Sequence, residues 1–260
     1  MRSAAVGHQC PDCVKQGSAA VRPVKAAYGG RARQAPYVTW ALIAINVVML
    51  VLTTSGSGLL NGSPGNSLFR KLALVPCEPQ SVFGGPCVAG VAHGDYYRLF
   101  TAMFLHFGVI HLALNMYCLY LIGPALEQAF GQVRYLTTYL VSGLGGSVLS
   151  YALGPQNELA AGASGAVFGL FGAFYVLGRR RNLDVSSITA TIGLNLFLSF
   201  AISGIDWRGH VGGLVTGAAL AWVIVYSPDT KQRPAYQAGG VVVVAVLLVA
   251  GVAARTAALT

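Results

Sequence analysis

Two short stretches of this chain hold side chains that could do chemistry. Ser164 lies in Gly162-Ala163-Ser164-Gly165, and His210 lies in Gly209-His210-Val211-Gly212-Gly213, each inside an apolar, glycine-rich run. Ionisable groups at bilayer depth are costly and usually functional. A hydroxyl paired with an imidazole is the minimum kit for an activated oxygen nucleophile. The pairing suggests hydrolysis inside a membrane. Glycine on both sides of Ser164, at −2 and +1, lets a substrate backbone approach the hydroxyl. A helix beginning near Ser164 would also offer unpaired N–H groups to a developing negative charge. Each residue alone has a plainer reading: the serine packs between small neighbours, and the histidine bonds a backbone carbonyl. The two together favour chemistry.

The glycines are part of that argument. Gly209, Gly213 and Gly217 form two overlapping G-x-x-x-G units on the face that carries His210, and Gly165, Gly169 and Gly172 form a comparable face after Ser164. Such faces let helices approach very closely, which would bring Ser164 and His210 within hydrogen-bond reach. His111 and Asn115, four residues apart, share another helix face. Both could donate to an oxyanion, and donors aimed at developing charge are often the largest catalytic contribution. His106 sits on a different turn, nearer the surface, with a structural or water-retaining role expected. Asp206 is one turn from His210 but reads as a loop residue beside Trp207 and Arg208, so a Ser–His dyad is preferred to a triad. Glu127, close to Arg134, reads as a cap or a bridge.

The elements that must position these residues follow from composition. Of 260 residues, 55% are hydrophobic and 10% are charged, against about 25% charged in soluble domains. The chain reads as all-α, a polytopic membrane helix bundle. Apolar segments fall near 38–55, 102–122, 134–153, 164–178, 186–204, 209–226 and 239–254, each judged against the roughly 20 residues a span needs. The first follows a long basic segment and reads as a span, not a cleaved signal peptide.

The net charge of +9 tracks topology and excludes a nucleic-acid reading. Arg2, Lys15, Arg22, Lys25, Arg31, Arg33, Arg134, Arg179–Arg181, Lys231 and Arg233 fall on one side; Arg70, Lys71, Arg98, Arg208 and Arg255 fall on the other. Twelve basic residues against five put the N-terminus in the cytoplasm and the C-terminus outside. Ser164 and His210 then lie at similar depth near the outer face. The fifth segment, with Leu194, Leu196, Phe197, Leu198 and Phe200, is the expected gate for substrate entry.

Cys77 and Cys87 lie in the long outer loop, where paired cysteines tend to oxidise; a Cys77–Cys87 disulfide closing a short loop is expected, the alternative being two free thiols. Cys10-Pro11-Asp12-Cys13 is half of a zinc knuckle with His8 nearby, and three ligands do not close a structural site. A disordered tail, or a knuckle completed by a partner, is the other reading.

These motifs together resemble the rhomboid family of intramembrane serine proteases. The family's G-x-S-G appears as Gly162 to Gly165, its H-x-x-x-N as His111 to Asn115, its G-H-x-x-G-x-x-x-G as Gly209 to Gly217, and its G-x-x-x-E-x-x-x-G as Gly123, Glu127 and Gly131. The resemblance covers roughly residues 96–222. It implies Ser164 as nucleophile and His210 as general base and acid, with His111, Asn115 and the Ser164 N–H forming the oxyanion hole. Gly162, Phe168 and His106 would support the substrate site, Arg98 and Glu127 the scaffold. Two positions depart from the pattern. Tyr97-Arg98 stands where the family has Trp-Arg, and Phe168 stands where many relatives stack a tyrosine on the histidine.

The implied architecture is a rhomboid-like six-helix core over 36–228, a basic cytoplasmic tail over 1–35, and a seventh transmembrane helix within 229–260. The implied protein is a multi-pass enzyme of a bacterial plasma membrane, acting on transmembrane protein substrates in the lipid bilayer without a metal or cofactor. The competing expectation is a catalytically silent rhomboid-like protein that binds membrane clients. A small transporter is a weaker rival, because no repeated halves are visible.

Overall fold

The computed structural model describes residues 2–3, 7–20, 26–29, 35–54, 66–81 and 84–260. Arg22, Lys25, Arg31 and Arg33 lie outside the described residues. The fold is all-α. Its long helices are α1 (Tyr37–Thr53), α2 (Gly108–Phe130), α3 (Gln132–Leu153), α4 (Ser164–Arg180), α5 (Ser186–Ala201), α6 (Trp207–Tyr226) and α7 (Arg233–Leu259). Four of them, α2, α3, α6 and α7, are long and apolar enough to cross a membrane; α1 and α5 are shorter apolar helices.

The helices differ from the apolar segments mainly in the second. That segment is expected from residue 102, but helix α2 begins at Gly108 and runs on to Phe130. A 3-10 turn, Ala102–Phe104, precedes it and ends at an extended Leu105. Gly108 has φ +82°, a backbone state that breaks helix continuity and suits glycine. Hydropathy cannot register such a break, because Met103, Phe104, Leu105 and Phe107 are apolar on both sides of it.

In lipid there is no hydrophobic force between helices, so close van der Waals contact must hold them. The tightest seam joins α4 to α6. A Cβ built on Gly213 would land on the backbone of Gly165, and one on Gly217 would land on the backbone of Gly169. α3 enters the same seam at Gly146, where a Cβ would lie 2.7 Å from the Gly209 carbonyl oxygen and 3.2 Å from Gly165 Cα. Exposed apolar side chains lie away from this seam, among them Val242, Val246, Leu247 and Val249 on α7.

Glu127 ties α1 to α2. Its carboxylate accepts from the backbone N–H groups of Val38 (3.0 Å) and Thr39 (2.9 Å) and from the Thr39 hydroxyl (2.8 Å). These N–H groups belong to the first turn of α1, which has no helical acceptor for them. Glu127 is therefore a cap. It does not bridge to Arg134, whose Nε donates to Gln237 Oε1 at 2.6 Å. Glu127→Ala would strand buried donors that bond to a charged acceptor, each worth about 1.5–3 kcal/mol. We expect a loss of about 3 kcal/mol, read as a lower unfolding midpoint in detergent.

Basic residues gather at the two ends of the bundle. At one end Arg181 and Arg233 face the Tyr28 ring at 5.8 and 5.9 Å, and Arg180 faces Tyr226 at 5.2 Å. At the other, Arg255 donates to the carbonyls of Tyr151 and Gly154, anchoring the end of α7 to the end of α3. Cys77 and Cys87 are joined in a disulfide, with Cα atoms 5.3 Å apart. The short strands Glu78–Ser81 and Gly84–Ala89 pair antiparallel around it. Cys10 and Cys13 are exposed free thiols. Among the described residues, no third His, Cys, Asp or Glu joins them in a metal-binding group.

A candidate active site at the start of helices α4 and α6

Ser164 is the first residue of α4. The segment before it is fixed by hydrogen bonds from loop to loop. Leu74 and Ala160 exchange backbone bonds (3.0 and 2.9 Å), Cys77 N–H donates to the Gln156 carbonyl (2.8 Å), and Gly162 N–H donates to the Ala102 carbonyl (3.0 Å). Arg208 of α6 reaches the same segment through Glu158 at 3.2 Å. Gly162 has φ +148°, which L side chains rarely adopt. The chain thus turns sharply into α4, and the Ser164, Gly165 and Ala166 N–H groups have no intramolecular partner among the described residues. Free N–H groups at a helix start attract negative charge.

His111 faces this turn. Its Nδ1 accepts from the Phe107 N–H at 3.3 Å, so the proton is on Nε2 and that edge is a donor. A Cβ added to Gly162 would sit 3.1 Å from His111 Nε2 and 3.4 Å from Ser164 Oγ. Glycine at this position therefore keeps open the space between hydroxyl and imidazole. Asn115 is buried, and its amide donates one N–H to the His111 carbonyl at 2.9 Å; the second N–H remains for another acceptor. His106 does not share α2 with these residues. It lies in the link before the helix, packed edge-on against His111 with ring centres 5.1 Å apart. Both of its ring nitrogens are buried without a partner among the described residues.

His210 is buried in the first turn of α6. Phe168, one turn after Ser164 on α4, stacks on its ring with centroids 4.1 Å apart and planes 9° apart. The phenyl ring supplies the stacking surface without a hydroxyl. His210 Nδ1 lies 2.7 Å from the Ser199 hydroxyl of α5. Ser164 and His210 form no hydrogen bond with each other among the described residues. Catalytic hydrogen bonds are often loose before substrate binds and tighten in the complex.

A cavity of about 40 Å³ opens beside Ser164, lined by Gly162, Gly165, Ser147, Ser150, Asp206 and Gly209 among others. That volume admits a water or a methyl-sized side chain. Asp206 accepts from the Arg208 N–H at the start of α6 and bonds the Ser150 hydroxyl. The His210 backbone N–H donates to the Asp206 carbonyl at 3.4 Å, but among the described residues no hydrogen bond joins the Asp206 carboxylate to the His210 ring. Arg98 is buried outside the site, bonded to Asp95 (3.0 Å) and to the carbonyls of Arg70 (2.9 Å) and Ala73 (3.2 Å), so it braces the outer loop. The serine that sequence reasoning missed is Ser199. It lies in an apolar helix with no motif around it, and its approach to His210 depends on how α5 crosses α6.

Comparison with known proteins gives consistent results. A family model described as Rhomboid domain matches residues 93–227. "Rhomboid protease GluP" of Bacillus subtilis (strain 168) is 35% identical over 187 residues, which cover 70% of this chain and 34% of that protein. "RHOMBOID-like protein 6, mitochondrial" of Arabidopsis thaliana is 32% identical over 219 residues, covering 75% of this chain and 69% of that protein. "Putative rhomboid protease YdcA" of Bacillus subtilis (strain 168) is 34% identical over 147 residues, 55% of this chain and 74% of that protein. The chain therefore spans about a third of GluP's length and most of the length of the other two.

Proposed function

The chain belongs to the rhomboid family, and from that premise we propose that it is an intramembrane serine endopeptidase that cleaves other membrane proteins in or near their transmembrane segments. It is an integral membrane protein. The observation that carries the reading is the convergence at Ser164. Its hydroxyl shares the Gly162 gap with the donor edge of His111, and His210 is stacked on the next turn of the same helix.

His210 Nε2 takes the Ser164 proton as Oγ attacks the scissile carbonyl. The new C–O bond leaves a tetrahedral oxyanion. Ser164 N–H, His111 Nε2–H and the free Asn115 N–H stabilise it. His210 then protonates the leaving amine as the C–N bond breaks. Water, deprotonated by the same imidazole, attacks the acyl-enzyme and releases the acid. The residues of the core, 36–228, carry this chemistry; the tail, 1–35, and the seventh helix, within 229–260, lie outside it. The charge bias supports a bacterial-type plasma membrane topology with the N-terminus in the cytoplasm and the C-terminus outside, so that the site opens outward.

A fluorophosphonate probe tests the proposal. It should label the purified protein at Ser164, and Ser164→Ala should abolish the signal. Labelling that survives the substitution would assign the nucleophile elsewhere, and a wild type that never labels would favour a silent client-binding protein. The oxyanion donors have their own signature. His111→Ala and Asn115→Ala should each lower kcat about 100- to 1,000-fold with KM little changed. A change confined to KM would remove them from the oxyanion hole.

A further inference from the structure

Helix α5 is loosely held. Only Ile188 and Ser199 of its residues are buried, and Leu194, Phe197 and Phe200 are exposed. One of those two buried side chains is the hydroxyl that touches His210. A polar group with 3% exposure in an otherwise lipid-facing helix needs an account.

The hydrogen bonds supply one. Ser199 Oγ lies 2.6 Å from the Asn195 carbonyl oxygen and 2.7 Å from His210 Nδ1. A hydroxyl carries one hydrogen, and a carbonyl can only accept. At 2.6 Å two oxygens are in contact only with a proton between them, so the Ser199 hydrogen points at Asn195. The Ser199 oxygen is then left to accept, and Nδ1 of His210 must be the donor. A neutral imidazole with its proton on Nδ1 has its lone pair on Nε2. Nε2 has no partner among the described residues. It is therefore free to act as a base.

We propose that Ser199 is a positioning residue of the catalytic site: by accepting the His210 Nδ1–H it fixes the tautomer in which Nε2 can deprotonate Ser164, and so makes a docked α5 a condition of catalysis. The proposal rests on His210 acting as the base, as argued above. Ser199 does for this dyad what a third residue does in a triad, without a charge. It holds the ring's orientation and accepts from the imidazolium once His210 is protonated. Phe168 fixes the plane of the ring, and Ser199 fixes its rotation within that plane. Moving α5 aside to admit a substrate breaks the bond, and its return restores the base.

Three variants and one spectrum test this. Ser199→Ala should lower kcat about 10- to 100-fold, the range of a hydrogen bond that becomes charge-assisted in the transition state, with KM and the unfolding midpoint close to wild type. Ser199→Cys keeps the shape but accepts poorly and should behave like alanine. Ser199→Thr keeps both bonds, since threonine also bonds the carbonyl four residues back, and should restore turnover. Full activity of the cysteine variant would show packing alone, and a change confined to KM would show a loosened gate; either overturns the proposal. In the wild type, ¹⁵N-histidine spectra, with the His210 signal identified by its loss in His210→Ala, should show the proton on Nδ1. A proton on Nε2 would overturn the proposal whatever the variants do. Wild-type turnover in His210→Ala would instead refute the base itself, an outcome separate from failure of Ser199.

Discussion

His210→Ala should reduce hydrolysis of a transmembrane substrate on the order of 10⁴- to 10⁶-fold while leaving the helical fold intact. Without Nε2, the Ser164 hydroxyl keeps its proton at neutral pH and is a weak nucleophile. The oxyanion donors remain, since Ser164 N–H, His111 and Asn115 belong to other elements, so a residual rate above background is expected. In the proposed dyad serine and histidine act as one unit, so the double variant Ser164→Ala with His210→Ala should be no slower than either single variant. Additive losses would mean that the two residues do not share a step. The alanine leaves the Phe168 ring unstacked and the Ser199 oxygen without its donor. Neither contact is one of the glycine-to-backbone contacts that close the α4–α6 seam, so the unfolding midpoint should fall modestly. Parallel measurement of probe labelling and thermal stability separates loss of chemistry from loss of fold.

The legible parts of this site were those encoded by local spacing. The four-residue glycine period on α4 and α6 can be read from sequence because both members of each seam are periodic, and a glycine face has little use but close contact. The start of α4 at Ser164 was legible for a related reason: the apolar run there is short and follows a glycine. Partners chosen by tertiary geometry were not legible. Nothing near Glu127 in sequence points to Val38 and Thr39, which are 88 or more residues away; the adjacent Arg134 was the more visible partner, and it bonds Gln237 instead. Hydropathy places His106 in the second apolar segment because it is blind to the left-handed Gly108 that delays the helix. Ser199 gave no signal, because a serine in a membrane helix normally bonds its own backbone. Here it does that too, and its second contact exists only because α5 crosses α6 at that residue.

Gly217→Ala should destabilise the protein by about 3 kcal/mol, near the upper end for overpacking, whereas Gly193→Ala, the same substitution on α5, should leave it unchanged or slightly more stable. The opposite signs follow from what the new methyl meets. At Gly217 it falls on the Gly169 backbone, and no rotamer change can relieve a clash with main chain. At Gly193 it meets nothing within 4 Å, so only the helix-propensity gain of about 1 kcal/mol remains. Gly217→Leu should prevent folding, because α4 and α6 would have to separate along their whole seam. Function should fail before the fold does. Gly213→Ala pushes against Gly165, the residue after the proposed nucleophile, and a displacement of about 1 Å at a catalytic pair can cost about 100-fold. At temperatures where this variant is fully folded, kcat should therefore already be about 100-fold down. Wild-type turnover in folded Gly213→Ala would mean that the α4–α6 distance does not set the geometry of Ser164 and His210.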